Sequence, residues 1–155
     1  MAIEIEHKFL LTDESWREKV KKAIIFKQGY LSSMPTTSIR VRICDEQAWL
    51  NIKSATIGNK RMEFEYEIPL TDANQIIELL CKKPIIEKTR HYVENENNTW
   101  EIDEFHGENQ GLIVAEIELN SETQPFTIPE WIGQEVTHDV RYYNNYLAVK
   151  PYNSW

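Results

Sequence analysis

A chain of 155 residues, 41% hydrophobic and 27% charged, is long enough to bury a core of its own and has the composition of a globular domain. Its 25 acidic against 17 basic side chains leave a formal charge of -8, which excludes a general affinity for nucleic acid or anionic membrane surfaces. No apolar run approaches the ~20 residues that span a bilayer. Met1-Ala2-Ile3 leads straight into charged residues rather than into a signal segment, and Cys44 and Cys81 lack CxxC spacing. The expectation is a cytoplasmic single domain over residues 1–155 with two buried, reduced thiols. With five glycines and neither GxxxxGK[ST] nor GxGxxG, a phosphate cradle of backbone amides is excluded, so side chains must hold any bound anion.

The chain opens on Ile3-Glu4-Ile5-Glu6-His7-Lys8-Phe9-Leu10, a period-2 alternation that predicts a strand with Glu4, Glu6 and Lys8 on one face. Thr12-Asp13-Glu14-Ser15 supplies an N-cap and an acidic first turn for a helix to about Lys22, with Trp16 and Val20 as its buried contacts. Strands follow at Ala23–Leu31, Ser38–Ile43, Ala48–Ser54 and Arg61–Pro69. On them Arg40 and Arg42 oppose Ile39, Val41 and Ile43; Asn51 and Lys53 oppose Leu50 and Ile52; Arg61, Glu63 and Glu65 oppose Met62, Phe64 and Tyr66. A helix from Thr71 to about Lys82 carries the apolar stripe Ile76, Ile77, Leu79 and Leu80 and stops at Pro84. Ile85–Glu94 places Lys88 and Arg90 on one face against Glu87, Thr89 and His91. Trp100–Phe105 sets Glu101 and Asp103 against Trp100 and Ile102, and Leu112–Leu119 sets Glu116 and Glu118 against Ala115, Ile117 and Leu119. A turn at Trp131 and a helix over about Asp139–Val149, able to plug one end of a barrel near Arg141-Tyr142-Tyr143, complete the chain.

On a single strand, alternating Glu and Lys reads as a solvated face whose cross-strand ion pairs contribute ~0.2–1 kcal/mol each. Repeated over six or seven strands, the pattern puts seven of the 17 basic residues on one sheet face. The regular apolar face must be buried under outer helices, so the charged face turns inward and lines a wet channel about eight strands round. Crowded like charges are costly when buried unless opposite charge is near. Such a lining asks for a polyanion and for a divalent cation, and an all-oxygen donor set favours Mg²⁺ or Mn²⁺ over zinc.

Glu4-Ile5-Glu6-His7-Lys8, read as an ExExK signature, resembles the N-terminus of the CYTH superfamily, the triphosphate tunnel metalloenzymes. Gln28-Gly29-Tyr30-Leu31, Arg40-Val41-Arg42, Ile52-Lys53, Arg61-Met62-Glu63-Phe64-Glu65, Glu87-Lys88-Thr89-Arg90, Trp100-Glu101-Ile102-Asp103, Ala115-Glu116-Ile117-Glu118-Leu119 and Glu135-Val136-Thr137 follow in that family's order. His7, where compact bacterial members often carry Arg, lies on the opposite face and is expected to affect packing. The resemblance implies an α+β fold, an eight-stranded antiparallel tunnel with helices outside, and metal-dependent hydrolysis of a small-molecule triphosphate. It assigns phosphate oxygens to Lys8, Arg40, Arg42, Lys53, Arg61, Lys88 and Arg90, and a Mg²⁺ or Mn²⁺ ion to Glu4, Glu6, Asp103, Glu116 and Glu118. Glu63 and Glu65 serve a second metal or orient the bases. Lys8, Glu116 and Glu118 are expected nearest the chemistry, Lys8 as an ammonium, because neighbouring carboxylates favour its charged form. A homodimer is a further implication of the family.

Three activities fit. The first is splitting of inorganic tripolyphosphate into pyrophosphate and phosphate. The second is thiamine triphosphatase, nucleoside triphosphatase or class IV adenylyl cyclase, which need a place for an organic group. The third is a polyphosphate-binding module without catalysis, which has no use for so many carboxylates.

Overall fold

β1 (Ala2–Leu11) takes the extended backbone that its alternation dictates, and every other strand is arranged around it. The computed structural model describes all residues except Pro35 and the side chain of Ser33. Its described residues form nine strands: β1, β2 (Val20–Met34), β3 (Thr37–Cys44), β4 (Gln47–Ser54), β5 (Lys60–Ile68), β6 (Ile86–Asn95), β7 (Asn98–Phe105), β8 (Ile113–Glu118) and β9 (Ile132–Glu135). All pairings are antiparallel, in the order β5-β4-β3-β2-β6-β7-β8-β1-β9, and a β5–β1 pairing closes the first eight into a barrel. β1 closes it by dividing its length: Ala2–Ile5 pair with β5, Glu6–Phe9 with β8, and Phe9 and Leu11 with β9. Two-residue turns at Asp45-Glu46 and Glu96-Asn97 join the β3–β4 and β6–β7 hairpins, with Asp45 and Glu96 at positive φ, as tight hairpins require.

The apolar core lies outside the barrel wall. Ile5, Phe9, Trp100, Ile102, Ala115 and Ile117 project outward from β1, β7 and β8 and pack against Trp16, Trp131 and Ile132. A second cluster, Val41 and Ala48 with Ala73, Ile77 and Cys81, lies under helix α1 (Leu70–Leu79). A third closes one barrel end: Ile86, Phe105, Leu112 and Val114 meet Leu147 and Ala148 of the C-terminal segment. Gly29 on β2 lets the segment that follows α1 sit close, since a Cβ there would lie 2.7 Å from Cys81 Cβ.

Several sequence expectations need correction. The helix over 12–22 is only a 3₁₀ turn at Ser15–Lys19; Val20 already belongs to β2, which runs beyond both predicted ends. The C-terminal helix is broken into a 3₁₀ turn at Val140–Tyr142 and one α turn, α2 (Asn144–Leu147), yet it does cap the barrel. On α1 the buried residues are Ala73 and Ile77, followed by Cys81, while Leu79 and Leu80 are exposed: a helix resting on a curved wall buries a narrow stripe. Cys44 is only half-buried. The outer face of β5 is left partly open: Ile68 packs against the cluster under α1, but Met62 is 45% and Tyr66 56% exposed. The polar outer face of β6 is closed by hydrogen bonds, Thr89 to His106 and His91 to Glu104, with Trp16 edge-on to His91.

Candidate active site

Inside the barrel is a cavity of about 310 Å³. Among the predicted residues, Glu4, Glu6, Lys8, Arg40, Arg42, Lys53, Arg61, Glu63, Glu65, Lys88, Arg90, Glu116 and Glu118 all line it. The alternation places them there: each strand sends one parity inward and the other into the outer core. Followed toward the end capped by α2, acid precedes base on β1 (Glu4 and Glu6, then Lys8) and on β5 (Glu65 and Glu63, then Arg61).

Most of the bases are already partnered. Lys8 meets Glu116 at 3.0 Å, Lys53 meets Glu4 at 3.0 Å and Glu63 at 2.9 Å, and Arg61 Nε donates to Glu4 at 2.7 Å. Arg90 is held by three carboxylates, those of Asp103, Glu101 and Glu116. Asp103 stands apart. It is 0% exposed and does not line the cavity; Lys88 at 2.6 Å and the forked guanidinium of Arg90 at 2.7 and 2.8 Å take both its oxygens. Its place is behind the lining, holding two bases in position.

Arg40 and Arg42 are the exceptions. Both belong to β3, and neither meets a carboxylate among the described residues. Arg42 Nε donates to Gln28 Oε1 at 3.2 Å and its guanidinium lies over Phe26, 4.8 Å from the ring centre. Burial, with repulsion from Arg40 and Arg90, pulls the Arg42 guanidinium down to about 10. Arg40 is 6% exposed, and its Nε has no hydrogen-bond partner. An unpaired buried guanidinium is expensive unless an anion completes it.

The acids are strained in the complementary sense. Glu6 and Glu118 face each other directly across β1 and β8, a like-charge pair. Burial first, and then the neighbouring Glu116, raise Glu6 to about 7. Burial and the charges of Glu4, Glu101 and Glu63 push Glu118 up as well. Glu4 behaves oppositely: burial pushes it up, but Lys53 and Arg61 outweigh that and hold it at about 2. Lys8 is raised, since Glu116 and Glu6 outweigh the burial that would lower it, so it stays an ammonium. Burial brings Lys88 down to about 7 despite Asp103. The donor chemistry fits a hard divalent cation: facing carboxylates, oxygen ligands only, and raised proton affinity at Glu6 and Glu118, where burial and like charge outweigh any base. As they stand, no three acidic side chains among the described residues converge on one point, because Glu4, Glu101 and Glu116 are drawn to bases.

The Glu6 environment gives a test. A carboxyl with a folded-state pKa of about 7 against an ordinary 4.5 holds its proton more tightly folded than unfolded. Ionising it therefore costs stability, nothing below about pH 4.5 and the full amount above about pH 7. In EDTA, Glu6→Gln is expected to raise the unfolding temperature at about pH 8, by up to roughly 3 kcal/mol in stability, and to have no such effect near pH 4. A thermal melt series over pH measures this, and an equal gain at both ends would contradict it.

Among the lining residues given no role from the sequence are Glu101, Thr137, Tyr143 and Asn144, and behind the lining Asn51 holds Glu65. Asn144 Oδ1 accepts from Lys88 Nζ and Gln28 Nε2, both at 3.0 Å, tying the cap to the lining. Thr137 Oγ1 accepts from the Lys8 backbone amide at 3.0 Å. Inward parity was readable for Glu101 and Asn51; nothing in the sequence pointed Asn144 at a barrel interior. His7 lies outside the bore, as expected, against Phe126 and hydrogen-bonded to Glu135 and Asn59.

Residues 2–148 match the family described as CYTH domain. The chain is 44% identical over 155 residues to an inorganic triphosphatase of Acetivibrio thermocellus, covering 100% of this chain and 99% of the relative. To an inorganic triphosphatase of Nitrosomonas europaea it is 34% identical over 151 residues, covering 94% and 97%. The crystal structure of the inorganic triphosphatase NE1496 superposes with a TM-score of 0.66 at 31% identity over 96% of each chain.

Proposed function

Since this chain belongs to the CYTH domain family, we propose that its ion-lined tunnel hydrolyses triphosphates, inorganic tripolyphosphate foremost, to pyrophosphate and phosphate. The observation that carries this reading is the pair Arg40, buried, and Arg42, half-buried, neither with a carboxylate among the described residues. Two adjacent planar forks offer the donors that a chain of phosphate oxygens takes up, which relieves their mutual repulsion at the same time. Relatives bearing the name inorganic triphosphatase along nearly their whole length support the same reading.

Phosphoryl transfer needs positioning and charge neutralisation more than covalent help. Arg40 and Arg42 grip the phosphate chain, while Lys8 and Lys53, each with one or two carboxylates, keep ammonium hydrogens to offer it; Lys88, brought down to about 7 by burial, is drawn back to its charged form by a bound polyanion. Arg61 and Arg90, tied to two and three carboxylates, chiefly fix the acidic side. Water attacks a terminal phosphorus, the bond from that phosphorus to the bridging oxygen breaks, and the charge left on pyrophosphate falls among the basic side chains. Lys8, held as an ammonium, stabilises that charge and does not act as a base. Glu118, with raised proton affinity and no basic partner within ion-pair distance among the described residues, is placed to take the water's proton; Glu116, held low by Lys8 and Arg90, is less suited. Mg²⁺ or Mn²⁺, held by Glu4, Glu6, Glu116 and Glu118, with Glu101 in the place first given to Asp103, would neutralise phosphate oxygens and polarise the water when bound. Glu63 and Glu65 remain for a second ion, and Glu63 orients Lys53.

A second substrate class has one observation in its favour. A mostly apolar hollow of about 480 Å³, lined by Met34, Val140, Tyr146 and Val149, adjoins the tunnel at Arg61 and Tyr143. It would take the organic part of a nucleoside or thiamine triphosphate. The deciding assay measures phosphate and pyrophosphate released from tripolyphosphate, ATP and thiamine triphosphate, each with Mg²⁺, Mn²⁺ or EDTA. The expected result is fastest release from tripolyphosphate, abolished by EDTA and faster on the alkaline side of neutral. Binding without turnover in every condition would overturn the hydrolase reading. Glu116→Gln is expected to lower kcat roughly a hundredfold with KM changed less than about threefold.

A further inference from the structure

β4 stands between the strand that carries the free arginines and the strand that carries Glu63 and Glu65. Of its tunnel-side residues, Lys53 holds Glu63 and Glu4 by charge. Asn51 is different: uncharged, 0% exposed, directly opposite Arg40 on β3 and opposite Glu65 on β5. Its Nδ2 donates to Glu65 Oε2 at 2.7 Å and, at the limit of a hydrogen bond, to Glu63 Oε1 at 3.4 Å. With both amide hydrogens turned to β5, Asn51 Oδ1 finds no donor, and the Nε of Arg40 finds no acceptor.

The geometry points to Asn51 as a positioning residue that restrains Glu65 on the β5 side and so keeps Arg40 unpaired for the substrate. β3 and β5 are two strand spacings apart, roughly 10 Å, within the combined reach of an arginine and a glutamate. A bare methyl at position 51 would leave the exposed Glu65 carboxylate and the buried Arg40 guanidinium with nothing between them, and their charge-assisted pairing is about twice as strong as a neutral hydrogen bond. An aspartate there would itself pair with Arg40. Of the short side chains, a neutral amide with two donors serves this separation. Asn51 acts on the reaction through Glu65 and Arg40, and the assignment rests on the triphosphatase reading above.

A double-mutant cycle tests it. Asn51→Ala, Glu65→Gln and the double variant, as full chains, are compared in KM and kcat for tripolyphosphate with Mn²⁺, and in Kd for tripolyphosphate in EDTA by calorimetry. With Glu65 in place, Asn51→Ala is expected to raise KM and Kd ~10-fold, with kcat changed less than about threefold. In the Glu65→Gln background the same substitution is expected to change KM and Kd by less than about threefold. Asn51→Ser, which leaves a smaller gap, should move KM in the same direction if the alanine variant folds poorly. An equal penalty in both backgrounds, or a fall in kcat with KM unmoved, overturns the assignment. A wild-type chain that binds tripolyphosphate in EDTA yet never cleaves it refutes the hydrolase reading instead, and the Kd cycle then decides the role of Asn51 alone.

Discussion

Arg40→Ala is expected to raise the KM for tripolyphosphate roughly a hundredfold while the ligand-free protein melts at an unchanged or higher temperature. The two halves follow from one fact: Arg40 is buried and gives no ion pair or side-chain hydrogen bond to any described residue. Its donors are left for substrate, and charge-assisted hydrogen bonds of ~1.5–3 kcal/mol each make a hundredfold loss the natural scale for removing a forked pair. Nothing in the folded protein loses a partner when it goes. Arg42, whose guanidinium Arg40 helps to pull down to about 10, is relieved. Steady-state kinetics and calorimetry on one preparation decide the matter; a melt lowered by several degrees with KM unchanged would show Arg40 to be structural.

Asp103→Asn should do the reverse, destabilising first and impairing activity as a consequence. Its carboxylate receives Lys88 and both arms of Arg90 with no exposure to solvent, so neutralising it takes from buried Lys88 its one carboxylate and from Arg90 one of three. Breaking such a pair costs about 3–5 kcal/mol, which for a domain of this length lowers the melting temperature by roughly 10 °C. Burial pushes the Asp103 carboxyl up, but Arg90 and Lys88 outweigh it and hold the group below its ordinary value. Its contribution is therefore complete at neutral pH and is lost only as acid carries the pH down through that lowered value. Denaturant unfolding of both chains at neutral pH provides the measurement, and equal stability would refute the placement.

The barrel was legible because its signal has period two and repeats: Glu4, Glu6 and Lys8 predict one inward face, and Arg40, Arg42, Lys88 and Arg90 predict the same face on strands far away in the chain. β9 was not, since Ile132-Gly133-Gln134-Glu135 is too short to show alternation and pairs only with the last part of β1. Val20-Lys21-Lys22 looked helical because local composition favours a helix there, whereas pairing with β6 decides for a strand. Within the site, charge parity found the bases and acids but not their depth. Glu101 and Asp103 share a face of β7, and only the pairing of Arg90 with Asp103 across β6 and β7 shows that the second is consumed. The neutral amides of Gln28, Asn51 and Asn144 carry no charge to count, so their part in separating and linking the ionic groups becomes visible only in three dimensions.

Because the barrel wall is one chain thick, with a bore on one side and the apolar core on the other, the reading frame of each strand is itself part of the site. Deleting one residue within β7 would turn Trp100 and Ile102 toward the bore and Glu101 and Asp103 toward the tryptophans of the outer core. Length changes in this lineage should accordingly be confined to turns such as Gly58-Asn59 or the stretch from 120 to 131, while strand interiors change only by substitution.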